Sequence, residues 1–216
     1  MVIAMCSEPT IKRLSVYHKY LKEIEARGEK FISCTKIAKD LHFLPIQVRK
    51  DLANTDIAGK PKVGYNINEL RESLDRFLSF GKNINACLIG AGHLGYSMLR
   101  YKGFDEYGLH MKCVFDNDPE KIGKHIDGHE ILNIEDMSKV LKHEKIDVAV
   151  LTVPRDFAQD IANKLIACGI KAIWNFAPVR LMIPEDVVVK HENIAGSFLI
   201  LAKRIENKNL IKKNKR

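Results

Sequence analysis

The residues best suited to chemistry lie between Ala86 and Asp116. Gly90-Ala91-Gly92-His93-Leu94-Gly95 follows the apolar run Ala86-Cys87-Leu88-Ile89 and opens a segment of helical spacing. A strand that turns through Gly-x-Gly-x-x-Gly into a helix can hold a dinucleotide. The first glycine permits the tight turn, the second lets backbone approach a pyrophosphate, and the third lets helix pack closely on strand. The helix N-terminus adds N–H groups and a dipole that favour an anion. Asp116 closes the next apolar run 21 residues beyond Gly95, where a carboxylate can accept hydrogen bonds from both adenosine ribose hydroxyls. That position, with Asn117 beside it, predicts NAD(H) in preference to its 2′-phosphorylated form. Thr152-Val153-Pro154 ends a later strand, at the sheet edge where ligands of such folds sit. The loop that starts there is expected to cover the nicotinamide.

Chemistry beyond binding is harder to find. A hydride-transfer enzyme needs an acid/base group near its substrate carbonyl, yet no Tyr-x-x-x-Lys occurs, and Tyr96 to Arg100 only approximates it. The eight histidines show no catalytic pairing, and His93 reads as a loop side chain beside the pyrophosphate. No catalytic residue is assigned, although an NAD-dependent oxidoreductase stands as the main rival class, because fold alone does not settle function. Cys87 and Cys113, on neighbouring predicted strands, leave a thiol sensor open, and a CoA-binding domain shares the strand-helix pattern and the Thr-Val-Pro loop. The five cysteines include no CxxC pair and no zinc-finger spacing, so neither a disulfide framework nor a metal site is expected.

The elements that must position these residues follow from periodicity. Runs at Ala86–Ile89, Met111–Phe115, Val148–Thr152, Ala172–Trp174 and Val187–Val189 alternate with helical segments, which implies βαβ units and a parallel sheet. Upstream, Ile11, Leu14, Tyr17, Leu21 and Ile24 recur at helical spacing, with Gly28 as the stop. Ser33 or Thr35 can cap a short helix burying Ile37, Ala38 and Leu41. Pro45 then suits the first turn of a third helix that buries Val48 and Leu52 and leaves Gln47, Arg49 and Lys50 facing out. Two short helices joined by a tight turn read as helix-turn-helix, and the segment 57–67, with a glycine-proline tip, reads as a wing. Asn68 can cap a further helix carrying Leu70, Leu74, Phe77 and Leu78. The fold class is therefore α/β: a winged helix-turn-helix domain over 1–82, a Rossmann-type parallel-sheet domain over 83–191, and a C-terminal helix with a basic tail over 192–216.

Charge divides along the same lines. The formal net charge of +8 resolves into +5 over 1–82 (15 basic, 10 acidic), −3 over 83–202 (13 and 16) and +6 over 203–216 (7 and 1). A basic N-terminal part suits a polyanion, and Gln47, Arg49 and Lys50 can reach base edges and phosphates of double-stranded DNA while Lys60 and Lys62 follow its backbone. No apolar run approaches the 18 to 20 or so residues needed to span a bilayer, and Met1–Cys6 is too short for a signal-peptide core. A cytoplasmic protein is expected.

Thr10 to Leu14, Gln47 to Leu52, Val63-Gly64-Tyr65, Gly90 to Gly95, Tyr101 to Phe104, Phe115 to Pro119, Lys121-Ile122-Gly123, Thr152 to Pro154 and Asn175 to Pro178 occur in an order that resembles the redox-sensing repressor family Rex. The resemblance spans residues 9 to 205 or so. It implies a homodimer that binds a pseudo-palindromic operator through winged helices, carries NADH or NAD⁺ on a Rossmann domain, and releases DNA when NADH binds. It also implies a C-terminal helix exchanged between subunits. Gly90, Gly92, Gly95 and Asp116 carry over as cofactor residues, with Asn175 and Phe176 in the matching Asn-Phe-Ala-Pro segment. Arg49, Lys50 and the basic wing carry over as DNA contacts, and Tyr101 as part of a nicotinamide-linked switch with Arg13. Two departures stand out. The family's acid at the start of the C-terminal helix is Asn193 here, and Lys60 and Lys62 replace an arginine pair in the wing. A divergent paralogue with a weaker redox response is the alternative within the family, because Asn193 can cap the helix but cannot supply a charge.

Overall fold

Ser7 begins the first helix by accepting the Thr10 N–H, and Pro9 occupies the first turn, where its missing donor is not needed. The computed structural model describes residues 6–213, with side chains through 207; residues 214–216 of the basic tail lie outside the described residues. The chain divides into two compact units, Met1–Lys82 and Asn83–Arg216.

In the first unit, α1 (Glu8–Ala26) buries Leu14, Tyr17, Leu21 and Ile24, and Gly28, at φ +83, turns the chain out of it. Ile11 is exposed, contrary to expectation: it lies one residue, roughly 100° of rotation, past buried Thr10 and so at the rim of the packed stripe. A two-residue strand β1 (Phe31–Ile32) leads to α2 (Cys34–Leu41), whose N-cap Ser33 accepts the Lys36 N–H at 3.1 Å. His42, left-handed at φ 58, makes the tight turn into α3 (Pro45–Leu52). The wing is slighter than expected. Its first arm forms no strand, a single bridge joins Lys60 to Gly64, and β2 (Tyr65–Asn66) pairs antiparallel with β1 instead. Asn66, not Asn68, caps α4 (Ile67–Phe77), because Asn66 still has the extended backbone a cap requires while Asn68 is already in the first turn. Leu14, Tyr17, Leu21, Ile37, Val48, Leu52, Leu70 and Leu74 form the core that fixes these helices.

The second unit runs β3 (Ile84–Ile89), α5 (His93–Leu99), α6 (Gly103–Glu106), β4 (Leu109–Asp116), β5 (His125–Ile126), β6 (His129–Asn133), α7 (Met137–His143), β7 (Val148–Leu151), α8 (Arg155–Ala167), β8 (Ala172–Asn175), β9 (Val188–His191) and α9 (Ile194–Lys213). Among the described residues the sheet has seven strands in the order β5-β6-β4-β3-β7-β8-β9, parallel except for the edge strand β5. Both faces of the central strands are packed, which is why they read as continuous apolar runs. The β5–β6 hairpin is absent from the sequence reading, although its turn residues Asp127 (φ 47) and Gly128 (φ 85) are a strong hairpin signal. The strand order reverses at β3, between β4 on one side and β7 on the other, which opens a crevice at the carboxyl ends of these strands. None of the described helices is long and apolar enough to cross a membrane. Helix α9 carries exposed Ile194, Phe198, Leu199, Ile200, Leu201 and Ile205.

Candidate functional site

The glycine turn lies at that crevice. Gly90 adopts φ +99, and a Cβ there would meet Val153 Cγ1 at 2.9 Å, so conformation and space both demand glycine. At Gly95 a Cβ would collide with the Gly90 carbonyl oxygen and the Thr152 hydroxyl, which lets α5 pack directly against the turn. Thr152 locks this contact: its hydroxyl donates to the Gly90 carbonyl at 2.7 Å, joining the ends of β3 and β7. Beyond Gly92 a Cβ would meet nothing within 4 Å, so the backbone there faces open space.

A cleft of about 1050 Å³ opens over the turn. Gly90, Gly92, Leu94, Asp116, Asn117, Thr152, Val153, Pro154 and Phe176 line it; Ala91 and Gly95 are buried beneath, and His93 is exposed at the start of α5. Its volume and mixed lining suit a ligand of dinucleotide size. Asp116, 6% exposed, ends β4 with its carboxylate already oriented. Oδ2 accepts the Ala91 N–H at 2.7 Å, and Oδ1 accepts the Asp118 N–H at 2.9 Å. Lys121 Nζ lies 3.3 Å from Oδ2 and 3.4 Å from Asp118. Burial would lower the Lys121 pKa, but the two carboxylates more than offset it and hold the ammonium charged. Sequence reasoning did not place Lys121 in the cleft, although its position five residues past Asp116 was a usable signal. Phe157, in the first turn of α8, also lines the cleft and was missed.

Two expected cleft residues lie elsewhere. Asn175 is fully buried: its amide donates to the Ala177 and Val179 carbonyls and bonds His191, and its oxygen accepts the Ala177 N–H. Its polar atoms hold the turn 175–179, which in turn sets Phe176 against the cleft. Tyr101 is exposed and stacks edge-on against Phe104 at 4.9 Å, outside the cleft lining.

On the N-terminal unit, Arg49, Lys50, Lys60 and Lys62 are all exposed, and Lys62 stands at the wing tip with φ 63. Gln47 does not face out freely. It is half-buried, and its amide donates to Asp51 Oδ1 at 3.0 Å. Asp51 also receives Arg13 Nε and Nη2, both at 2.7 Å, and the Tyr17 hydroxyl at 2.9 Å. Burial alone would raise the Asp51 pKa, yet these donors hold it below its usual value. Arg13 therefore clamps α1 to α3. Asn193 caps α9, its Oδ1 accepting the Gly196 N–H at 2.7 Å, and Asn193 and Tyr101 make their contacts separately.

The rival chemistries find little support. Arg100 donates to the Tyr96 hydroxyl at 2.9 Å and lies over its ring, an exposed i,i+4 surface pair on α5. Cys87 and Cys113 sit opposite one another in the sheet, both buried. The Cys113 contact and burial push the Cys87 thiol well above its usual pKa, which suppresses the reactive thiolate.

Comparison with known proteins bears on both units. Residues 6–53 match the family described as putative DNA-binding protein N-terminus, and residues 81–179 match that described as CoA binding domain. The redox-sensing transcriptional repressor Rex of Treponema denticola is 40% identical over 200 residues, covering 93% of this chain and 95% of that protein. The Rex of Desulfitobacterium hafniense is 40% identical over 194 residues, covering 90% and 92%. Among solved structures, RSP, a Rex-family repressor, superposes with a TM-score of 0.87 at 34% identity, over 99% of this chain and 100% of that one. RSP in complex with β-NAD⁺ and operator DNA gives 0.88 over 98% of both chains, and RSP in complex with β-NADH gives 0.86 over 97% and 99%. With both units matched in order over nearly its whole length, the chain belongs to the Rex family of redox-sensing transcriptional repressors.

Proposed function

We propose that this protein is a homodimeric, cytoplasmic repressor that binds double-stranded operator DNA when NADH is scarce and releases it when NADH binds. The observation that carries the reading is the coexistence, in one chain, of a glycine turn closed by Thr152 and Asp116 with a helix-turn-helix presenting Arg49 and Lys50. Neither part needs catalysis. In this reading the dinucleotide acts as a signal, and its binding is read out at the DNA. Gly90 to Gly95 would hold its pyrophosphate, Asp116 and Asn117 its adenosine ribose, and Thr152-Val153-Pro154 with Phe176 its nicotinamide half. The exposed apolar side chains of α9 supply a surface for a second copy of the chain.

Coenzyme A is the second reading, drawn from the match over residues 81–179. Its adenosine ribose carries a 3′-phosphate, which a buried carboxylate at Asp116 opposes. The test combines operator binding with turnover. Arg49→Ala or Lys50→Ala should weaken operator binding while leaving the fold intact. Each lost phosphate contact should flatten the salt dependence of log K by about 0.9, and a lost base contact should cost roughly 1–3 kcal/mol at one base pair. NADH should bind without consumption. Wild-type DNA binding by both variants would remove α3 from the interface, and tighter binding of coenzyme A than of NADH would favour the second reading.

A further inference from the structure

A chain of four rings crosses one face of the sheet in the second unit. Tyr101 meets Phe104 at 4.9 Å, Phe104 meets Trp174 at 5.6 Å, and Trp174 meets Phe176 at 4.8 Å. Phe176 lines the dinucleotide cleft. Trp174, the chain's only tryptophan, has a second attachment: its indole Nε1 donates to Glu192 Oε1 at 2.9 Å. Glu192 is tied to the same strand end through its backbone, its N–H donating to the Asn175 carbonyl at 2.8 Å. Lys190 Nζ, 3.8 Å from Oε1, keeps a positive charge beside the carboxylate. The residue after Glu192 is Asn193, the cap of α9.

Two hydrogen bonds thus fasten Glu192, two residues before the apolar helix, to the two residues preceding Phe176. A bond from a neutral donor to an ionised acceptor is stronger than one between neutral groups. A displacement of the Phe176 ring by a bound nicotinamide would be passed to Trp174 by ring contact and to the start of α9 by the indole bond. We propose that Glu192, through Trp174, is a positioning residue that couples occupancy of the dinucleotide cleft to the setting of α9. The inference rests on the NADH-sensing reading above, since coupling between two sites is defined by what one ligand does to the affinity for the other.

The experiment measures three quantities on the full-length protein: NADH affinity by nicotinamide fluorescence, operator affinity without NADH, and operator affinity with saturating NADH. Glu192→Ala should leave the first two within about twofold of the parent and shrink the NADH-driven loss of operator affinity about tenfold, with Glu192→Gln in between. Trp174→Phe keeps the ring contacts, loses the indole donor, and should match Glu192→Ala. The double variant should be no worse than either single one, because both break the same bond. An unchanged release ratio in Glu192→Ala, losses that add in the double variant, or a loss of NADH affinity itself would each overturn the coupling role. A parent protein whose operator affinity ignores NADH would overturn the sensing reading and the coupling with it, whereas a responsive parent with an equally responsive Glu192→Ala would overturn the coupling alone.

Discussion

At the scale of single residues, the proposed dinucleotide site would have its cofactor's identity set by Asp116 and Lys121 between them. The carboxylate suits the free 2′-hydroxyl of NADH, but the ammonium 3.3 Å away softens its repulsion of a 2′-phosphate. Asp116→Asn, which keeps an acceptor for the Ala91 N–H, should lower the NADH preference over NADPH about tenfold. Lys121→Ala should raise it, and fluorescence titration with both nucleotides reads the difference. Unchanged preferences would place ribose recognition elsewhere. Asn193 acts as a helix cap here, so Asn193→Ala should cost about 1 kcal/mol in thermal unfolding and Asn193→Asp should restore it. If Asn193→Asp instead widens the NADH/NAD⁺ affinity ratio, the position also carries the switch charge that the family resemblance implies. The sequence made the glycines and Asp116 legible because their roles are written in backbone geometry and strand position. It did not disclose Asn175, since an amide spent on its own turn and an amide offered to a ligand look identical until the carbonyls around it are placed.

Among elements, the junction of α1 and α3 determines how α3, the proposed DNA-reading helix, is held. Arg13, Tyr17 and Gln47 converge on Asp51, whose side chain is only 2% exposed, so one carboxylate ties α3 to α1 beside the apolar core. Removing one partner of a fully buried pair costs about 3–5 kcal/mol, and the 22% exposure of the Arg13 side chain places this pair below that range. Asp51→Asn should therefore lower the unfolding free energy of the chain at neutral pH and weaken operator binding, although Asp51 is itself buried. The pH dependence follows from the lowered pKa. The stabilisation is complete above the ordinary value of 3.8 and is lost as pH falls through the depressed folded value. The gap between parent and Asp51→Asn in urea unfolding should close below that pH, and a gap independent of pH would contradict the charge-based account. The stop at Gly28, the Ser33 cap and the helix-turn-helix were readable from spacing and caps, while the start of α4 was set two residues late, at Asn68 instead of Asn66. The pairing of the wing was not legible, because strands of two residues carry little periodicity and Tyr65 pairs with Ile32, far away in sequence, whereas the β5–β6 hairpin announced itself through Asp127-Gly128 and not through its short strands.

For the whole molecule, two units of different charge and chemistry share one chain, and this order was plain from the sequence because hydrophobic period and net charge both change near Gly81-Lys82-Asn83. What periodicity could not show is why Ile194, Phe198 and Leu201 stay exposed: an apolar helix reads the same whether its cover is its own domain or a second chain. The central claim is that occupancy of the cleft governs DNA binding. It is tested most directly by titrating a palindromic operator, selected by the protein itself from random DNA, in the presence of saturating NADH, saturating NAD⁺ or neither. The expected result is an operator affinity at least about tenfold weaker with NADH than with NAD⁺, a difference of about 1.4 kcal/mol between the two liganded states, with no NADH consumed. Equal operator affinity under all three conditions, or steady oxidation of NADH, would contradict the account.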